Sequence, residues 1–252
     1  MLKEREPISK TGKLLDLMRI YGVSFDLDGV KVLTSPGAIK IYNKKWGIPY
    51  GLVKYHGDLS DYFSMTQWLT EINSLHRGKI QDPMHEAVSI WNNEENLRTA
   101  PVESGVISLL KLMYNHKVDP YDITSRPVST KQTTEEWINN KLGVFGDLTN
   151  RLNMQEGENL NPEFKADRAE LLKILFHFED SGKHAEKIAD RGIVVGLVIK
   201  PWSENYIPQH PLIIRPTRYH GRPEIVRTFL ALRDFVATNP EIINSLIEKR
   251  FK

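Results

Sequence analysis

The sequence predicts an α/β protein in which a parallel sheet is covered by helices on both faces and a mainly helical segment is inserted after the first strand. Three observations carry this. Short apolar runs alternate with helical segments along most of the chain, the rhythm that parallel strands and crossover helices produce. Residues 35–99 break that rhythm, being rich in aromatic and polar residues without strand-like alternation. The 252 residues also suffice for a core domain that carries an inserted subdomain. The expected organisation is a core of residues 1–34 and 100–252 with residues 35–99 inserted.

Leu14 to Ile20 has helical spacing and leads into a first strand, Tyr21 to Asp26. Within the insertion, Asp61 to Ile72 and His85 to Trp91 read as helices. Val102 to Asn115 is amphipathic, with Val106, Leu109, Leu110 and Met113 on one face, and precedes a second strand, Val118 to Ile123. Ser129 to Leu142 and Lys165 to Leu175 read as helices, and Phe176-His177-Phe178 as a short buried strand. His184 to Asp190 is helical, Arg191-Gly192 closes it, and Ile193 to Ile199 is the clearest buried strand. Leu212 to Ile214 adds a strand, and Pro223 and Pro240 open two final helices.

In an open parallel sheet, ligands bind beyond the carboxyl ends of the strands, so the residues after each apolar run are the informative ones. The first run ends in Asp26-Leu27-Asp28-Gly29. There the chain leaves the strand and turns, so two carboxylates can converge on one ligand, which suits a divalent cation and a phosphate. Asp26 would serve as nucleophile and metal ligand and Asp28 as proton donor, while Gly29 permits the sharp turn. The plainer reading is a strand followed by an Asp-Gly turn. The second run ends in Asp122-Ile123-Thr124-Ser125-Arg126. Thr124 and Ser125 offer hydroxyl and backbone donors for phosphate at the start of a helix, or simply cap that helix.

The third run ends in Glu179-Asp180-Ser181, the remaining carboxylates for a hard cation such as Mg²⁺, or merely the start of a loop. Phosphate chemistry also needs a lysine. Lys165 opens the helix before that strand and is the candidate, unless it is a solvated surface residue; Lys173, further along the same expected helix, is less well placed. Arg126 either contacts phosphate or pairs with a neighbouring acid.

Composition narrows the chemistry. The chain is 40% hydrophobic and 26% charged, ordinary for a globular protein. A net charge of +2 from 34 basic and 32 acidic residues gives no argument for a stable nucleic-acid partner. No cysteine is present, which removes disulfides, thiol catalysis and cysteine-ligated zinc together. None of the eight histidines lies in a pair with metal-ligand spacing, and His184 reads as a helix-surface residue. With a polar start and no long apolar run, the expectation is a cytoplasmic protein without membrane contact, and a homo-oligomer is left open.

The order of these pieces resembles the haloacid dehalogenase superfamily, the aspartate-nucleophile phosphohydrolases. Its first motif is matched by Phe25-Asp26-Leu27-Asp28-Gly29-Val30, its second by Ile123-Thr124-Ser125, its third by Lys165, and its fourth by Phe178-Glu179-Asp180-Ser181. The resemblance runs from about Tyr21 to Trp202 apart from the insertion. Thr124-Ser125-Arg126-Pro127, Thr134-Glu135-Glu136-Trp137, Glu179 to Ala185, Gly192-Ile193 and Lys200-Pro201-Trp202-Ser203 are similar to the 5′(3′)-deoxyribonucleotidase group and its uncharacterised microbial relatives. The chain departs from that group in a longer N-terminal extension and in Glu179, where the group tends to have aspartate.

The resemblance implies a Rossmann-like core and a two-step phosphoryl transfer. Asp26 attacks phosphorus, Asp28 protonates the leaving alkoxide and later helps activate water, and Mg²⁺ is held by Asp26, the Asp28 backbone carbonyl and Asp180. Glu179 binds the metal through water or orients Lys165, and Asp28 is expected to be protonated when substrate is bound. The insertion stands where the superfamily places a helical cap, which excludes water and chooses the substrate. It contains Tyr42, Trp46, Tyr50, Tyr55, Tyr62, Phe63, Trp68 and Trp91. Most such rings fill a small core, and Phe63 and Trp68 are the candidates for stacking a nucleobase. Lys54, His56 and Arg77 are candidates for a phosphate or base edge. The expected partner is a small phosphorylated substrate, a nucleotide first. The alternatives are a sugar phosphate or nucleic-acid terminal phosphate as substrate, or a binding protein without turnover.

Overall fold

A computed structural model describes residues 9–47, 69–70, 73, 78–156, 161, 163–218 and 220–251. Helix α1 (Lys10–Tyr21) starts at Ser9, whose hydroxyl accepts from the Gly12 amide, so it is longer than the spacing of Leu14 to Ile20 implies. Gly22, at φ +77°, ends it and turns the chain into strand β1 (Val23–Phe25). Tyr21 thus closes the helix instead of opening the strand. The other strands are β2 (Tyr121–Pro127), β3 (Leu152–Gln155), β4 (Phe176–Glu179), β5 (Val194–Leu197) and β6 (Ile213–Ile214). They form one sheet in the order β3-β2-β1-β4-β5-β6, every pair parallel. This is the expected α/β architecture. From β1 the chain builds outward through β2 and β3, then crosses back to β4 and builds the other way. The switch point therefore lies between β1 and β4, where open α/β sheets bind ligands.

Register sorts the residues onto two faces. Phe25 pairs with Phe178 and Asp122, and Phe178 with Gly196, so these share one face; the Phe25 and Phe178 rings stack with centroids 4.5 Å apart. Ser24 pairs with His177, which puts Ser24, His177 and Glu179 on the other face. Helices α7 (Phe164–Leu171) and α8 (Gly182–Asp190) pack on each other over that second face, α7 against β2 and α8 against β4 and β5. Helix α9 (Glu224–Thr238) covers the first face at β5, packing on α1 and followed by α10 (Pro240–Phe251).

Between β1 and β2 lie α2 (Ser35–Tyr42) with a π-helical turn at Asn43–Gly47, then α3 (Pro83–Trp91), α4 (Glu94–Thr99) and α5 (Val106–Asn115). Helix α5 begins later than its apolar spacing suggests, because Val102 pairs antiparallel with Val32 and Gly105, at φ +85°, precedes the first turn. The segments flanking the insertion are bound together: Leu33 N–H donates to Pro101 O and Glu103 N–H to Lys31 O. The insertion carries its own apolar cluster of Ala38, Ile39, Tyr42, Leu69, Ile80, Ala87, Ile90 and Trp91. Tyr42 and Trp91 fill that core, and Trp46 packs on it while donating to Glu86. Tyr50, Lys54, Tyr55, His56, Tyr62, Phe63, Trp68 and Arg77, like most of the helix expected at Asp61 to Ile72, lie outside the described residues.

Other boundaries differ for local reasons. β2 starts at Tyr121 instead of Val118 and runs through Thr124 and Ser125 to Pro127. These two residues are therefore strand residues: a 3₁₀ turn at Val128–Thr130 intervenes before α6 (Lys131–Leu142), so neither hydroxyl stands at a helix start. α7 stops at Leu171 instead of Leu175, since Lys173 at φ +53° turns the chain into β4; Lys173 is exposed and off the helix. Strand β3 had no expectation, being a short edge strand of mixed polarity. Among the described residues no helix is long and apolar enough to cross a membrane.

Gly196 reports on the α9 contact. A Cβ there would stand 2.6 Å from Thr228 Cγ2 and 2.9 Å from Leu232 Cδ1. Gly196→Ala is expected to lower unfolding free energy by about 1–3 kcal/mol, measured by urea denaturation against wild type.

Candidate active site

At the end of β1 the Asp26 amide donates to Phe178 O, which ties the first position beyond the strand to β4. The chain then folds into a tight loop: Lys31 and Val32 N–H groups both donate to Leu27 O, and Gly29 N–H to Val32 O. Gly29 sits at φ +77°, a conformation a side chain disfavours. This loop separates the two aspartates. Asp26 faces Lys165 and β4, whereas Asp28 faces β2.

Lys165, in the first turn of α7, places its Nζ 2.8 Å from Asp26 Oδ2 and 2.9 Å from Glu179 Oε2. Glu179 is saturated with donors. Its Oε1 accepts from the Asp180 and Ser181 amides at 3.2 Å, and its Oε2 accepts from Lys165 and lies 3.4 Å from His177 Nε2. The sequence leaves Glu179 two roles, binding metal through water or orienting Lys165, and the structure shows its contact with Lys165. His184 is partly buried and stands 3.9 Å from Glu179, nearer the site than a plain helix-surface position.

Ligand atoms of Asp26, Glu179 and Asp180 lie within 4.8 Å of one another, all three residues buried. Burial, with Glu179 and Asp28 nearby, pushes the Asp26 carboxyl up to about 7 against the pull of Lys165. Burial and the charges of Glu179 and Asp26 raise Asp180 well above the carboxylate range. Burial alone would also raise Glu179, but Lys165 outweighs it and holds this carboxyl well below its ordinary value. Burial would loosen the Lys165 proton, yet Asp26 and Glu179 hold it more firmly than in water. Three crowded carboxyls around the Lys165 ammonium form a set that a hard divalent cation would relieve, and all-oxygen donors suit Mg²⁺.

Arg126 sits where β2 slips register between Thr124 and Pro127. Such irregularities re-aim side chains, and here the guanidinium takes Asp28 in a fork: Nε to Oδ2 at 2.9 Å and Nη2 to Oδ1 at 2.7 Å. Thr34 also donates to Asp28, and Arg126 Nη1 reaches Thr134 at 3.3 Å. Burial would raise the Asp28 carboxyl, but Arg126 lowers it. Of the two partners the sequence allows Arg126, phosphate or a neighbouring acid, the structure shows the acid. The expectation of a protonated Asp28 concerns the site with substrate bound. Thr124 is buried beside this pair, with its hydroxyl accepting from the Arg126 amide, and Ser125 is half-buried next to it.

Sequence reasoning missed several supporting residues: Thr34, Thr134, Ser24, His177 and, beneath the loop, Lys31. Lys31 is fully buried, 2.5 Å from Asp122 Oδ1, with Nζ 4.8 Å from the Phe25 ring centroid. The signal was a lone lysine between valines, set against an aspartate inside a strand. Burial raises Asp122 while Lys31 opposes it.

A haloacid dehalogenase-like family hydrolase from Streptococcus pneumoniae superposes with a TM-score of 0.50 at 19% identity, covering 76% of this chain and 91% of that one. The fold is that of the haloacid dehalogenase-like hydrolases. A haloacid dehalogenase-like family hydrolase from Xanthomonas campestris superposes with a TM-score of 0.48 at 13% identity, covering 86% of this chain and 97% of that one. No family model and no curated protein sequence matches the chain. In the haloacid dehalogenase-like fold of this chain, the switch point between β1 and β4 is where Asp26, Glu179 and Asp180 gather.

Removing one partner of the Lys31–Asp122 pair leaves a buried charge. Lys31→Met is expected to cost about 3–5 kcal/mol, and the double change Lys31→Met with Asp122→Leu to recover most of it, as read by chemical denaturation.

Proposed function

We propose that this chain is a Mg²⁺-dependent phosphomonoester hydrolase that forms an aspartyl-phosphate on Asp26, and that its substrates are (deoxy)nucleoside monophosphates, as in a 5′-nucleotidase. The observation that carries the reading is the buried Asp26–Lys165–Glu179 bridge at the switch point, with Asp180 beside it. Asp26 has an oxygen to offer phosphorus. Lys165 supplies charge to a phosphoryl group arriving there, and the Thr124 and Ser125 groups at the end of β2 supply hydrogen bonds.

In the first step an Asp26 oxygen bonds to phosphorus, the bond from phosphorus to the leaving oxygen breaks, and Asp28, protonated on substrate binding once Arg126 has turned to the phosphate, gives that oxygen its proton. In the second, water attacks phosphorus, Asp28 takes the water's proton, and phosphate leaves with the Asp26 carboxylate restored. Asp26, Asp180 and the Asp28 carbonyl would hold Mg²⁺, which would supply charge neutralisation for the phosphoryl oxygens. Arg126 must loosen its fork on Asp28 for these proton transfers, and the oxygens of an incoming phosphate are the natural alternative partner for a guanidinium.

Residues 35–99 act in this reading as a cap over the site. Their separate apolar cluster and the paired segments that join them to the core support it. Phe63 and Trp68 are the rings proposed to stack a base.

Phosphate release from nucleoside monophosphates, sugar phosphates and a 3′-phosphorylated oligonucleotide tests the reading. Wild type with Mg²⁺ should release phosphate fastest from a nucleoside monophosphate, EDTA should abolish release, and Asp26→Asn should lower it by ~10³-fold or more. A preference for a sugar phosphate or the oligonucleotide would move the substrate class while keeping the chemistry. Release unaffected by Asp26→Asn would overturn the mechanism.

A further inference from the structure

On the face of β1 and β4 that carries the acidic cluster, two fully buried polar side chains lie two positions before it along each strand. Ser24 precedes Asp26 by two positions and His177 precedes Glu179 by two, and the two are partners in the sheet register. Neither is exposed. Ser24 Oγ stands 2.7 Å from His177 Nδ1, and His177 Nε2 stands 3.4 Å from Glu179 Oε2. From Glu179 the chain of contacts runs on through Lys165 to Asp26.

We propose that Ser24 and His177 form a buried positioning pair that fixes the Glu179 carboxylate and, through it, the Lys165 ammonium against Asp26. The inference rests on the proposed hydrolase reading, because that reading is what gives Lys165 and Asp26 their work.

The direction of each hydrogen bond follows from chemistry. Both Glu179 oxygens already accept, Oε2 from the Lys165 ammonium and Oε1 from two backbone amides, so a ring nitrogen facing Oε2 carries the hydrogen of that contact. In a neutral imidazole the other nitrogen is then bare, and it accepts from the Ser24 hydroxyl. One tautomer satisfies both contacts. A histidine held this way has no freedom to swing, since its hydroxyl partner belongs to the adjacent strand. Glu179 Oε2 therefore receives two donors from fixed directions, one from the sheet and one from α7. Its Oε1 is held by two backbone amides. Four donors on one buried carboxylate leave a single orientation, and Lys165 inherits it. Outer partners of this kind set the geometry of a site without touching the reacting atoms.

A merely structural histidine would satisfy its own polarity and affect stability alone. The positioning role predicts more. His177→Phe keeps ring volume and removes both hydrogen bonds; its kcat on the best substrate of the panel should fall by roughly 10–100-fold, with KM nearly unchanged. His177→Gln carries an amide N–H at about the reach of Nε2 and should recover most of that loss. Wild-type kcat in a folded His177→Phe, or equal losses in the two variants, would overturn the proposal.

Nitrogen-15 NMR of the His177 ring in wild-type protein reads the same geometry without turnover and without relying on any variant to fold. The proposal requires hydrogen on Nε2 and none on Nδ1; hydrogen on Nδ1 would overturn it. This measurement separates the failures. A wild type that hydrolyses nothing defeats the hydrolase reading, whereas the wrong tautomer defeats the positioning pair.

Discussion

Everything at the switch point depends on one buried ammonium. Lys165 is 5% exposed, and its ammonium touches Asp26 and Glu179 directly in the acidic cluster. Without it, the carboxylates would be driven to protonate or to pull apart, because burying unpaired charge costs far more than a fold can spare. The lysine comes from the first turn of a helix, so its place is set by how α7 packs on the sheet. Fold and chemistry are thus linked at a single side chain. The remaining excess of negative charge, visible in the raised Asp26 and Asp180 carboxyls, is what makes the cluster a candidate cation site.

Around that bridge the two faces of β1 do different work. One carries the stacked phenylalanines and the Lys31–Asp122 pair, which anchor the loop after β1 to β2. The other carries Ser24 and His177 under the acidic cluster. Period-two alternation lets a three-residue strand serve both faces at once. Asp26 and Asp28, which alternation alone would put on one side, are turned apart by the loop after β1 and end in different charge environments. Asp26 is crowded by carboxylates, whereas Asp28 is held by a guanidinium. Separated environments of this sort are how two carboxyl groups come to hold different roles.

Much of this was legible in the chain. The alternating apolar runs placed β1, β2, β4, β5 and β6, and the polar residues following them drew attention to Asp26, Glu179 and Asp180, which the structure brings together with Lys165 from the helix before β4. What escaped was of two kinds. Boundaries moved where a backbone turn decided them, as at Gly22, Gly105 and Lys173, and β3 was too short and mixed to stand out. Pairings between distant residues were the other kind. Lys31 meets Asp122 across 91 positions and Ser24 meets His177 across 153, and nothing local marks such partners. Arg126 shows the limit well. Its presence after Thr124-Ser125 was plain, but its choice of Asp28 depends on an irregularity in β2 that only the register with β3 reveals.

The central claim is that Asp26 accepts the phosphoryl group. Its most direct test is acid quenching of the wild-type protein during turnover of a generic aryl phosphate with Mg²⁺, followed by mass mapping of its peptides. The account predicts a phosphoryl group on Asp26 that disappears as turnover ends. Turnover with the phosphoryl group on another residue, or with none on the protein at any time, would contradict it.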